Sequence, residues 1–143
     1  MTGKRYMGID LGDVRVGIAV SDIMGIVAGA LETYRRQEDE ADLQHICKLI
    51  EEQNVGVVVV GLPLNMDGSS GPRAQMAREW GDALAERTNA KIVFQDERLT
   101  TVSSERVLIE SGMRREKRKG VIDRVAATII LQTYLDNPCK IPL

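Results

Sequence analysis

Aromatic side chains are scarce in this chain: 143 residues hold one Trp, one Phe and three Tyr. That argues against a protein that reads single strands by stacking successive bases on an aromatic platform. Cysteine is scarcer still. Cys47 and Cys139 stand far apart with no CxxC spacing, so neither a zinc site nor a disulfide framework is expected. His45 is the only histidine, in "ADLQHICKLIEE", where Leu43, Ile46, Cys47 and Ile50 form the apolar face. His45 points off that face and reads as a surface residue, which leaves Ser-His or Cys-His nucleophilic chemistry without a base. No apolar run approaches the length of a bilayer span, and "MTGKRY" leads straight into a strand, so the expected location is cytoplasmic. The net charge is -2 with a pI near 5.5. A nucleic-acid partner would have to be met by a local basic patch.

What the chain does have is a clear alternation of patterns. Residues 5–11 and 15–21 read as two strands joined by a tight turn at "GDVR", and "GIVAGALETY" reads as a third. "DEADLQHICKLIEEQN" carries apolar residues at helical spacing, with acids in its first turn. "VGVVVVGLP" is a continuous β-branched run, the mark of a strand covered on both faces. After the turn-rich loop "NMDGSSGP", Pro72 is placed to start a helix running from about Arg73 to Arg87. "AKIVFQDE" is a strand, "TTVSSERVLIESG" a helix, and "VIDRVAATIILQTYL" an apolar final helix. With no repeat and no linker, residues 1–143 are expected to form a single domain. A meander followed by βα crossovers predicts an α/β fold, a mixed sheet with helices on both faces; this is the ribonuclease H-like arrangement, and order alone leaves room for other α/β folds.

Three acids stand out within this frame. Asp10 lies inside the first strand, on the face shared by Tyr6 and Gly8. A carboxylate there is costly unless it is paired, hydrogen-bonded or bound to a cation. Gly8, Gly17 and Ala19 would surround it with small side chains and let a helix pack closely. Asp123 shares its helical stripe with Ala126, Ala127, Ile130, Leu131 and Tyr134, so such packing would carry it toward Asp10; a helix N-cap is the alternative reading. The third acid comes from "FQDERLTT", at a strand's carboxyl end, where ligands of open α/β sheets bind. Asp96 and Glu97 point to opposite faces, and Glu97, with its longer reach, is the preferred candidate over Asp96. Three oxygen donors without His or Cys suit Mg2+ or Mn2+. Ions bridging such carboxylates are standard equipment for phosphodiester hydrolysis.

Four segments, "GIDLGDVRVGIAVSD", "VVVVGLPLNMDGS", "FQDERLTT" and "KGVIDRVAA", together resemble the YqgF/RuvX family of pre-16S ribosomal RNA nucleases, relatives of Holliday-junction resolvases. The resemblance runs from Gly8 to Ala127. It implies a ribonuclease H-like fold, a divalent metal, and endonuclease action on structured RNA such as pre-16S rRNA or on branched DNA, with the ribosome as a further partner. It places catalytic, metal-binding roles on Asp10, Glu97 and Asp123, and substrate contacts on Arg15, Arg98, Asn65, Met66, Asp67 and Gly68.

Read from charge alone, "RREKRKG" adds five cations, Arg114, Arg115, Lys117, Arg118 and Lys119, just before the Asp123 helix. Beside a carboxylate cleft they would grip phosphates. Lys4, Arg5, Arg35 and Arg36 read as surface charge. Two readings rival the nuclease. An actin- or Hsp70-like nucleotide clamp needs two such domains, and one is present. A non-catalytic RNA- or ribosome-binding assembly factor would use the same basic cleft with idle acids. A resolvase would act as a homodimer, a nuclease as a monomer or homodimer, and nothing in the chain chooses between these states.

Overall fold

The computed structural model describes residues 4–65, 67–97, 126–138 and 140–143. Strands β1 (Arg5–Leu11) and β2 (Arg15–Ser21) form an antiparallel hairpin that β3 (Ala28–Arg35) extends on one side. On the other side β4 (Val55–Leu62) runs parallel to β1, and β5 (Lys91–Asp96) runs parallel to β4. The order across the sheet is β3-β2-β1-β4-β5. The crossovers are α1 (Asp39–Glu52), between β3 and β4, and α2 (Pro72–Ala85), between β4 and β5. Residues 126–135 are helical. The helix expected over 100–112 and the basic segment 113–120 lie outside the described residues.

Strand alternation sorts the apolar side chains between two layers. Met7, Ile9 and Leu11 of β1 meet Val16 and Ile18 of β2 on the face covered by α1 and α2, where Ile46 and Leu84 are fully buried. Tyr6, Ala19, Val57 and Val59 face the other way, against Ala127, Ile130, Leu131 and Tyr134. Interior strand β4 serves both layers, which explains its unbroken apolar run: Val57 to Val60 are at most 1% exposed. Each such side chain contributes about 1.5–3 kcal/mol of transfer free energy. The mixed sheet with helices on both faces is therefore present as expected.

The layer formed by residues 126–135 sits unusually near the sheet, and glycine is the reason. A Cβ on Gly8 would lie 2.7 Å from Leu131 Cβ and 2.8 Å from the Ala127 carbonyl oxygen. Further along, the Tyr6 and Tyr134 rings lie 6.1 Å apart, and the Tyr6 hydroxyl donates to the Ile141 carbonyl at 2.5 Å. The helix thus runs antiparallel to β1, with its lower-numbered residues toward the end of the strand that carries Asp10.

The third strand begins three residues later than its composition suggests. Asp22 Oδ1 accepts hydrogen bonds from the Ile26 and Val27 amides at 2.8 and 3.0 Å, and Gly25 adopts φ +69°. Residues 25–27 are spent closing the turn, so pairing with β2 starts only at Ala28.

Candidate active site

Asp10 stands near the carboxyl end of β1, paired with Gly17 of β2 in the sheet register, while Gly8 pairs with Ala19. The small-residue wall expected around it is therefore present. Glu97 follows directly after β5, and its carboxyl group is hydrogen-bonded to that of Asp10. Its path there crosses β4 at Gly61, where a Cβ would come within 2.8 Å of Glu97 Cγ and Cδ and within 2.5 Å of Ile130 Cδ1. Any larger residue at 61 would push Glu97 or the helix away. The two acids meet where three parallel strands end, the usual place for a ligand in such sheets.

Two carboxyl groups this close cannot both ionise cheaply. Burial pushes the Glu97 carboxyl up to about 9, helped by its hydrogen bond to Asp10 and by the charges of Asp10 and Asp96, and opposed by Arg73. At neutral pH Glu97 therefore keeps its proton and donates it to Asp10. Asp96 sits at the end of β5, opposite Leu62. Strand alternation groups it with Ile92 and Phe94, which pack on the α1–α2 side, whereas Val93 belongs to the layer of residues 126–135. Of the two neighbouring acids, Glu97 is the one brought to Asp10.

Asn65, Asp67 and Gly68 lie in the loop between β4 and α2, and much of their bonding is internal. The Gly68 amide donates to the Asn65 carbonyl at 2.8 Å, and the Asn65 amide to the Ser69 carbonyl at 2.9 Å. Asp67 Oδ1 accepts from the Ser69 amide and hydroxyl at 2.9 and 2.6 Å, and Gly68 takes φ +88°. This geometry fixes where α2 departs, with Pro72 in its first turn. Arg15 opens β2, and its carbonyl accepts from the Gly12 amide. Asp123, Arg98, Arg114, Arg115, Lys117, Arg118, Lys119 and Met66 lie outside the described residues. Among the described residues no group of three or more potential metal ligands converges. Residues 126–135 nonetheless bring the chain in toward the Asp10 end of β1.

Three basic residues behave differently from their appearance in the sequence. Arg36, read as surface charge, has a side chain only 12% exposed: it donates to Asp42 at 3.1 Å and to the Gly12 carbonyl at 3.1 Å. His45 is half-buried rather than free at the surface, stacked on Tyr34 at 4.2 Å with Nε2 3.2 Å from Glu32. Arg73 drew no attention as a site residue. It leaves the first turn of α2 and reaches Asp13, in the β1–β2 turn, at 3.6 Å.

The family profile described as "RuvX: Holliday junction resolvase" matches residues 4–137. The chain belongs to the RuvX family. It is 49% identical over 137 residues to the "Putative pre-16S rRNA nuclease" of Halothermothrix orenii, covering 96% of this chain and 98% of that one. A protein of the same name from Halalkalibacterium halodurans is 47% identical, covering 93% and 96%. Among solved structures, T. thermophilus RuvC in complex with a Holliday junction substrate superposes with a TM-score of 0.58 at 13% identity, over 89% of this chain and 91% of that one. The fowlpox virus Holliday junction resolvase gives 0.55 at 12%, over 92% and 98%. At such identities the likeness is one of fold, and the fold of this RuvX chain is ribonuclease H-like.

Proposed function

We propose that this RuvX protein is a divalent-metal-dependent endonuclease that hydrolyses phosphodiester bonds in structured RNA, processing the 5' end of pre-16S rRNA during ribosome biogenesis in the cytoplasm. The observation that carries the reading is the Asp10–Glu97 pair: two carboxyls held in a shared hydrogen bond at the carboxyl ends of parallel strands, the Glu97 group pushed upward by its burial and by Asp10. Such a perturbed pair of oxygen ligands is the arrangement expected of a cation site. Relatives with nearly the same length and 43–49% identity carry the pre-16S rRNA nuclease name.

The donor set fits a hard cation, since both groups are oxygen ligands in a half-buried setting. Asp10 and Glu97 would hold Mg2+ or Mn2+, with Asp123 as the third donor from the segment leading into residues 126–135. Such an ion supplies charge stabilisation at the scissile phosphate and a stronger nucleophile from water. The chain's own part is to orient these oxygens through Gly61 and Gly8, and to draw the RNA backbone in with Arg114, Arg115, Lys117, Arg118 and Lys119.

Cleavage of a labelled pre-16S fragment in Mg2+ or Mn2+ tests the reading. The wild type should cut it, and Asp10→Asn and Asp123→Asn should abolish cutting while leaving binding largely intact. Cleavage undiminished in both variants would overturn the site assignment. A wild type that binds RNA but cuts neither RNA nor a four-way DNA junction would leave a non-catalytic assembly factor. Cutting confined to the junction would move the substrate to branched DNA.

A further inference from the structure

We infer that Arg73 is the substrate-positioning cation at the mouth of this site, parked on Asp13 when the cleft is empty and passed to a backbone phosphate when nucleic acid enters. The inference rests on the nuclease reading above and adds to it a residue and an exchange. Arg73 belongs to the first turn of α2, whose departure is fixed by the internally bonded 65–69 loop. Asp13 lies three residues beyond Asp10, in the turn that ends β1. The contact between them therefore spans from the turn following Asp10 to the helix that follows Gly61, the residue under Glu97. The guanidinium's charge reaches the acid pair, where it opposes the upward push on the Glu97 carboxyl.

The pair is built to be exchanged. At 3.6 Å, with side chains 63% and 69% exposed, it is long and wet. Such surface pairs contribute little, so losing Asp13 costs Arg73 almost nothing. A phosphate offers the guanidinium a charge-assisted, two-pronged contact that is worth more. Other arginines are committed elsewhere: Arg36 to buried Asp42, Arg87 to Glu40, and Arg78 to the face of Phe94 at 5.9 Å. Asp13 has a complementary role. Left alone, its charge would repel an incoming polyanion, and Arg73 masks it until a phosphate competes.

The exchange predicts opposite effects for the two partners. Binding of a fluorescein-labelled RNA stem-loop is measured by anisotropy across a salt series, without divalent ions so that nothing is cut. Arg73→Ala should weaken binding about tenfold and reduce the salt slope by about one, with Arg73→Lys recovering part of the affinity. Asp13→Asn should tighten binding about two- to fivefold, while Asp13→Asn/Arg73→Ala, which has lost the phosphate's partner as well as the repelling charge, should bind less tightly than wild type. A merely structural clasp would instead lower thermal stability in both single variants and weaken binding in both. That pattern, or unchanged affinity and slope in Arg73→Ala, overturns the inference while leaving the nuclease reading standing. A wild type that binds neither the stem-loop nor a DNA junction overturns both.

Discussion

Among the described residues, buried Asp42 and the half-buried pair Asp10 and Glu97 are treated by the fold in opposite ways. Asp42 is fully buried, and its oxygens accept from Arg36 Nε at 3.1 Å and from the Gln37 amide at 2.8 Å, with Tyr34 also bonded to it. Arg36 in turn donates to the Gly12 carbonyl, so the network ties α1 to the β1–β2 turn. Asp10 and Glu97 face each other instead, and the arginine nearest in effect, Arg73, stands off at the rim on Asp13. A paired acid is finished structure. An acid facing an acid is the feature on which the proposed cation site rests.

Breaking the finished network should cost most. Asp42→Ala leaves the buried Arg36 guanidinium with only the exposed Asp39 carboxylate as an acidic partner, and a loss of about 3 kcal/mol is expected in urea unfolding. Arg36→Ala should be similarly severe. Gly61→Ala sharpens the contrast at the other site: its Cβ would displace Glu97 or Ile130, lowering stability by about 1–3 kcal/mol and separating the two acids. The same size of loss is expected for Gly8→Ala, where the obstacle is the 126–135 backbone itself.

Replacing the protonated acid of the pair by a neutral amide should act in the opposite direction. The folded protein holds the Glu97 proton up to about pH 9, while the unfolded chain releases it near 4.5. Folding must therefore take up a proton between those values, and stability from this group falls as pH rises through that window. Glu97→Gln should be more stable than wild type at neutral pH, with a flatter profile of Tm between pH 4.5 and 9. A variant with the wild-type profile would contradict the shared proton. The smallest effect is expected at Asp22, whose carboxyl is held below its ordinary range by the Val27 and Ile26 amides. Asp22→Ala should loosen only the β2–β3 turn, visible as faster amide exchange at residues 26 and 27.

Much of this was legible in the residues, and the exceptions have physical causes. The alternation in "RYMGIDL" and "RVGIAVS" located β1 and β2, because a one-residue slip would turn every apolar side chain outward. The same period-two argument separated Asp96 from Glu97. Arg36 was misread because "RRQEDE" looks like a solvated charge run. Asp42, however, shares the helical stripe of Ile46 and Leu49, and that placement was the available sign of a buried partner. Arg73 was missed because its importance lies in what the β1–β2 turn brings opposite it, a long-range pairing no local pattern encodes. The signal within reach was Pro72, which puts Arg73 in the first turn of a helix at the carboxyl end of a strand.

The central claim is that the Asp10–Glu97 pair is kept for a cation, and titrating thermal stability with Mn2+ at neutral pH tests it most directly. The wild type should gain stability with rising Mn2+, reaching about 2.7 kcal/mol at a hundredfold excess over the dissociation constant, and Asp10→Asn should lose that gain. No gain in the wild type, or an equal gain in Asp10→Asn, would contradict the account.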